Sequence, residues 1–213
     1  MKNLLSLSMM IILLSGLGGC GLPAADKPPN THAFNDHFTR GFMDSPKEVE
    51  DGYYLFRSKT NGYTMLFPVE GEMSDMSYER EKDHFELLDF GESLEGKNIS
   101  YNIQVIFENS AINQSLSGNL ELLSGSIDYD GEYDQFKHNG KTFYYGERVH
   151  EIQGENNDVY NYFSFIKSEY TDKGIQFIGS STCTDRSKPC KAESNEVKEI
   201  IMKIMKSIEF QDE

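Results

Sequence analysis

The chain of 213 residues carries 35 acidic against 20 basic side chains, a formal charge of −15 at neutral pH, and no cluster of lysine or arginine interrupts that balance. Nucleic acid is thereby excluded as a partner, because binding a polyanion draws on grouped cations that displace condensed counterions. An anionic bilayer repels the same chain, so stable residence at a membrane has to come from something other than charge.

Residues 1–19 read as a secretory signal, with one charge at Lys2, an apolar run from Leu4 through Leu14, and small residues Ser15, Gly16, Gly18 and Gly19 before Cys20. The run is shorter than the roughly 20 apolar residues a spanning helix needs, and its glycines favour the extended segment that a protease cleaves. Leu17-Gly18-Gly19-Cys20 resembles the lipobox of bacterial lipoproteins. The resemblance implies cleavage before Cys20, acylation of its sulfur and anchoring at the extracytoplasmic face of a cell membrane. Each buried methylene adds about 0.8 kcal/mol, so two or three acyl chains hold where one is marginal. The alternative is an ordinary secretory signal with an incidental cysteine. Loss of residues 1–19 takes the charge from −15 to −16, since Lys2 is their only charged residue.

Residues 20–50 contain Pro23, Pro28, Pro29 and Pro46 and no sustained apolar period, and read as a lipidated cysteine followed by a flexible linker. His32 and His37 in this stretch read as solvated rather than metal-bound. Residues 51–213 are expected to form a single domain with its own core.

Tyr53 to Arg57 and Tyr63 to Phe67 flank Thr60-Asn61-Gly62 and predict a hairpin, with Pro68 ending the second strand. His84 to Phe90 and Ile99 to Phe107 predict two more strands. In the latter Ile99, Tyr101, Ile103, Val105 and Phe107 alternate with polar residues, the pattern of a half-buried strand. Ile112, Leu116, Leu120 and Leu123 follow at helical spacing behind the cap candidates Asn109 and Ser110. Tyr133 to Lys137 and Lys141 to Ile152 surround Asn139-Gly140, a second hairpin signal. Val159 to Lys167 and Gly174 to Ser181 carry apolar residues on both faces, as central strands do. Val197, Ile200, Ile201, Ile204 and Met205 mark the stripe of a final helix, capped by Ser194 or Asn195, before a short strand over residues 207–210.

This order predicts an α+β fold, a single antiparallel sheet of about six to eight strands covered by two helices. The segments Asn61-Gly62-Tyr63-Thr64-Met65-Leu66-Phe67-Pro68 and Ile201 through Phe210 resemble the opening strand and closing helix-strand unit of the PsbP-like and DcrB-like group. That resemblance implies an accessory protein that binds or stabilises partners and carries over no functional residue.

With Cys20 lipidated, Cys183 and Cys190 remain, and in an exported chain they read as a disulfide closing a short loop; a metal site is the alternative. Asp128, Asp130, Glu132 and Asp134 surround Gly131 and either cage a hard cation such as calcium or form a solvated acidic loop. The segment is not an EF-hand loop, because Gly131 is fourth rather than sixth from Asp128 and Asn139 occupies position twelve. Tyr144, Tyr145, Tyr160 and Tyr162, beside Phe163, form the densest aromatic cluster, either a partner surface or core, with alternation turning part of it outward. No Gly-x-Ser-x-Gly elbow, His-Glu-x-x-His pair or glycine-rich phosphate loop occurs, Gly179-Ser180-Ser181 lacks the second glycine, and no cofactor is expected. His84, His138 and His150 fall in strand or hairpin contexts. The expectation is therefore a non-catalytic binding or assembly lipoprotein of the envelope, touching another envelope protein through the outward sheet face or hairpin tips. A ligand or calcium binder is the alternative, and an enzyme of unrecognised type follows it.

Overall fold

The computed structural model describes residues 28–94, 96–152, 158–185, 187, 188, 190 and 192–211; the signal segment and Cys20 lie outside the described residues. In chain order come helices α1 (His32–Asn35) and α2 (His37–Arg40), then strands β1 (Tyr53–Arg57), β2 (Tyr63–Pro68), β3 (Glu72–Met73), β4 (Glu79–Glu81), β5 (Phe85–Leu94) and β6 (Ile99–Asn109). A 3-10 turn (Ala111–Gln114) leads into α3 (Leu116–Ile127). The chain continues through β7 (Asp134–His138), β8 (Lys141–His150), β9 (Val159–Ser168), β10 (Lys173–Cys183), α4 (Asn195–Lys206) and β11 (Glu209–Phe210). No helix among the described residues is long and apolar enough to cross a membrane.

The α+β class holds, and eight strands form one antiparallel sheet in the order β3-β5-β6-β10-β9-β8-β7, with β4 also on β5. The expectation of a single sheet is corrected, because the opening hairpin pairs with the terminal strand instead, making a separate sheet β1-β2-β11. Its side chains explain why. Tyr63 and Phe67 on β2 reach across to Phe107 and Phe90 of the large sheet, with ring centroids 5.2 and 4.9 Å apart, so the hairpin packs face to face and not edge to edge. Alternation on β6 supplies the facing surface, with Tyr101 almost fully buried and Ile103, Val105 and Phe107 completely so. Alongside the small sheet, α4 covers the same face through Val197, Ile201, Ile204 and Met205, all fully buried. Gly179 on β10 makes that approach possible, since a Cβ there would lie 2.5 Å from the Ile201 Cγ2 atom.

The helix expected over Ile112 to Leu123 is divided. Ser110 caps the 3-10 turn, Ser115 caps α3 by accepting from the Gly118 amide at 3.3 Å, and Ile112 is 53% exposed rather than part of the stripe. Asn113 forces the break. Its side-chain amide bonds the carbonyls of Glu108 (2.7 Å) and Asp172 (2.8 Å), tying the turn to the ends of β6 and β10. Beyond it α3 crosses the outer face of the large sheet and buries Leu123 against Phe163 and Phe165.

The flexible linker read over residues 20–50 is also corrected for its described part. Ala33, Phe34, Thr39 and Phe42 are buried; Phe34 packs edge-on to Tyr54 at 4.8 Å and Phe42 stacks on Phe56 at 5.5 Å. The Ala33 amide bonds the Val69 carbonyl at 3.1 Å, and Met43 bridges to Phe56. At the other end, Lys141 is buried with its Nζ 2.7 Å from a Glu209 carboxylate oxygen, an ion contact lacking hydrogen-bond alignment, and the Lys173 ammonium donates to the Gln211 carbonyl. Both ends of the described chain are thus fastened to the small sheet or beside it.

Candidate functional site

A cavity of about 1150 Å³ opens at one end of the large sheet between α1, the turn after β2, the β5–β6 connection and the loop after β10. Each wall has a local cause. His32 enters on α1 and stands 3.7 Å from Glu70. Glu92 projects from the end of β5, where its register partner Tyr101 donates a hydrogen bond to its carboxylate at 2.7 Å. Burial lifts the Glu92 carboxyl above its ordinary value, against the lowering effect of the Tyr101 bond, with Glu70 adding to the rise and His32 opposing it. Burial likewise pushes the Tyr101 phenol far up, helped by the neighbouring Glu92 charge.

The opposite wall is the loop between Cys183 and Cys190, which are disulfide-bonded with Cα atoms 6.0 Å apart. Asn98, in the left-handed region at φ +54°, fastens that loop: its side chain accepts from the Asp185 amide (2.7 Å) and donates to the carbonyls of Asp185 (3.0 Å) and Lys188 (3.3 Å). Within the loop, the Lys188 ammonium and the Ser187 hydroxyl and amide hold the Asp185 carboxyl down at about 2. The cleft therefore carries Glu70, Glu72, Glu92 and Asp185 against His32 and Lys188, and Lys188 is already matched to Asp185 at 2.8 Å. A cationic group is what such a lining attracts.

A second, shallower groove of about 460 Å³ lies on the outer face of the large sheet, where α3 stops short of β5 and β6. Its floor is polar, with Asp89, Asn102, Gln104, Asn161 and Ser180 standing on adjacent strands around Ile178.

Of the two readings of the acidic segment, the calcium cage is not formed. Asp128 caps α3 in the left-handed region and is held by Arg148 at 2.7 Å, Asp134 is already part of β7, and Asp130 and Glu132 are exposed between them. Among the described residues no three carboxylate, histidine or cysteine groups converge to hold a metal ion. The tyrosine surface is corrected in part. Tyr145 and Tyr162 point into the main core at 7% and 4% exposure, Tyr144 stacks on Phe165 beneath α3, and Tyr160 packs half-buried against the core rim. Large exposed apolar side chains such as Met76, Leu122 and Tyr170 are scattered along the sequence and not drawn from one element. Sequence reading missed the cleft, whose residues range from 32 to 188 with no shared motif; Gly96 and Asn98, both at positive φ just before the β6 run, are local signals of a special backbone position.

The family model described as "Putative lipoprotein YvcA" matches residues 29–209. A Bacillus subtilis (strain 168) protein with that same description is 28% identical over 225 aligned positions, covering 93% of this chain and 93% of that protein. A solved chain from Bacteroides thetaiotaomicron aligns with a TM-score of 0.40 and 12% identity over 75% of this chain, which spans about half the length of that structure. A likeness so slight carries no argument about the fold, and the PsbP-like resemblance rests on its sequence patterns alone.

Proposed function

The chain belongs to the YvcA_Mog1p family of bacterial lipoproteins, and on that premise we propose that lipid on Cys20 holds it at the extracytoplasmic face of a membrane. There it works as a non-catalytic binding or assembly protein whose acidic cleft receives a basic segment of another envelope protein. One observation carries this reading: the packed segment after Thr31 places His32 both at the exit of the tether and in the wall of the cleft. Eleven peptide links separate Cys20 from Thr31, so at about 3.5 Å each the cleft stays within roughly 40 Å of the anchor. An anionic bilayer does not occupy a negative cleft, whereas a juxtamembrane basic segment is held near the same surface and complements it.

A catalytic reading has Glu92 as its candidate, because its raised carboxyl sits in a cleft. Its described hydrogen-bond partner is Tyr101, whose own proton is held more tightly than usual, and this arrangement orients a carboxylate without supplying a second reacting group. The binding reading is tested by replacing exposed Ser93 at the cleft rim with a photo-crosslinking residue in intact cells. A discrete protein adduct that disappears when Glu70 and Glu72 are changed to Lys is the expected result; adducts to lipid alone would remove the reading.

A further inference from the structure

We infer that the outer-face groove is a binding site for a neutral glycan, distinct from the acidic cleft, with which it shares no lining residue. The inference begins with the hydrogen bonds in its floor. Asp89 on β5 accepts from the Gln104 side-chain amide at 3.3 and 3.5 Å and from the Asn102 amide at 3.4 Å. A carboxylate can only accept, so both amides turn their N–H groups toward Asp89 and leave their carbonyl oxygens for a ligand. Two strands away the Ser180 hydroxyl donates to the Asn161 side-chain oxygen at 2.7 Å, and the Asn161 N–H groups have no partner among the described residues. The floor thus offers fixed acceptors on β6 and fixed donors on β9, on a sheet whose strands are about 4.8 Å apart.

Charge and backbone narrow the ligand class. No lysine or arginine lines the groove; its lining includes His150 and Asp128, and nearby Arg148 is bound to Asp128, so an anion meets two carboxylates and no free permanent cation among the described residues. Asp89 on the floor is already engaged by two amides, and Asp128 at the wall is bound to Arg148, which does not suit a metal ion. Strands β5, β6, β10 and β9 lie inside the sheet with their backbone groups paired to one another, so an extended peptide has no edge to extend. Hydroxyl groups both donate and accept, and a sugar ring also presents C–H faces that match Ile178, Val159 and Ile127 between the polar groups. The side-chain bonds orient the floor before a ligand arrives, which lowers the ordering cost of binding. At the wall, Gly125 on α3 faces open space and leaves room for entry.

Full-length protein in detergent, titrated with the probes tetra-N-acetylchitotetraose and cellotetraose and followed by saturation-transfer NMR, tests the site. Saturable binding with a Kd on the order of 1 mM is expected for an open groove. Binding of the first probe alone assigns the acetamido groups as the recognised feature, and binding of both assigns the ring hydroxyls. Gln104→Ala and Asn161→Ala should each weaken binding about tenfold, the loss of one or two ligand hydrogen bonds. Gly125→Leu, which fills the entry without touching the floor, should abolish it, and Glu70→Gln in the other cleft should leave it unchanged. Absence of saturable binding to either probe, or equal binding by the Gly125→Leu protein, overturns the inference. So does a photo-crosslinker at Asn161 that captures protein in place of glycan, and none of these results bears on the acidic cleft.

Discussion

Asn98 and Asp185 stand 87 positions apart and hold each other by two backbone-directed bonds, the Asp185 amide donating to the Asn98 side-chain oxygen at 2.7 Å and the Asn98 amide returning to the Asp185 carbonyl at 3.0 Å. One asparagine thereby serves as an extra strand for the disulfide loop. Asn98→Ala loses these bonds and strains a left-handed backbone, whereas Asn98→Gly loses the bonds and relieves the strain. Urea unfolding should show about 2–3 kcal/mol of destabilisation for Ala and about 1 kcal/mol less for Gly. Equal losses would remove the backbone contribution.

The disulfide and the Asn98 clasp restrain the same loop. On the chain-entropy model a loop this short contributes about 2.5 kcal/mol at most, and the clasp already supplies part of that order. Cys183→Ser with Cys190→Ser should cost about 1–2 kcal/mol in the wild-type background and more in Asn98→Ala, measured as a double-mutant cycle.

Glu92 gives a pH signature. Its folded value lies above its unfolded one, so the stabilisation from binding its proton is complete below the unfolded value and is lost as pH rises through the folded value. Near neutral pH the ionised, half-buried carboxylate is therefore a liability. Glu92→Gln, which keeps an acceptor for Tyr101, should raise Tm by a few degrees at pH 7 and change it little at pH 4. A variant that lowers Tm equally at both values would contradict the burial effect.

The packed segment before Asp44 makes a strong prediction. Phe34→Ala or Phe42→Ala should each cost about 3–5 kcal/mol, as fully packed aromatic positions do, where a free linker would register nothing. Chemical denaturation of the two variants distinguishes these outcomes.

What could be read from the sequence follows from the length of each signal. The five alternating apolar residues of β6 and the stripe of α4 are long enough to repeat, and Asn139-Gly140 takes positive φ at both residues, as its dipeptide requires. Helices α1 and α2 are a single turn each, too short for any period to appear, so Phe34 in α1 and Phe42 just after α2 read as linker residues. The second sheet was hidden for another reason: β2 pairs with β11 near residue 210, a partnership that local pattern does not encode. The partner that decides between the two readings of Asp128 is Arg148, twenty positions away, which no local pattern links to it. The cleft is the extreme case, since its chemistry exists only after β2, β5, β6 and the disulfide loop have been brought to one end.

The anchoring of the first packed residues also sets a mechanical load path. Were the chain held from Cys20, tension would reach Val69 through the Ala33 amide, then Met73 of β3, whose amide bonds the Thr39 hydroxyl at 2.9 Å, and only then Phe56 through Met43. His32 and Glu70, each beside one end of the Ala33–Val69 bond, would feel such a pull first, while the groove on the far face of the large sheet would be insulated from it. The first load would thus fall on the turn after β2 and on the short edge strand β3, and not on the inner strands that carry the groove.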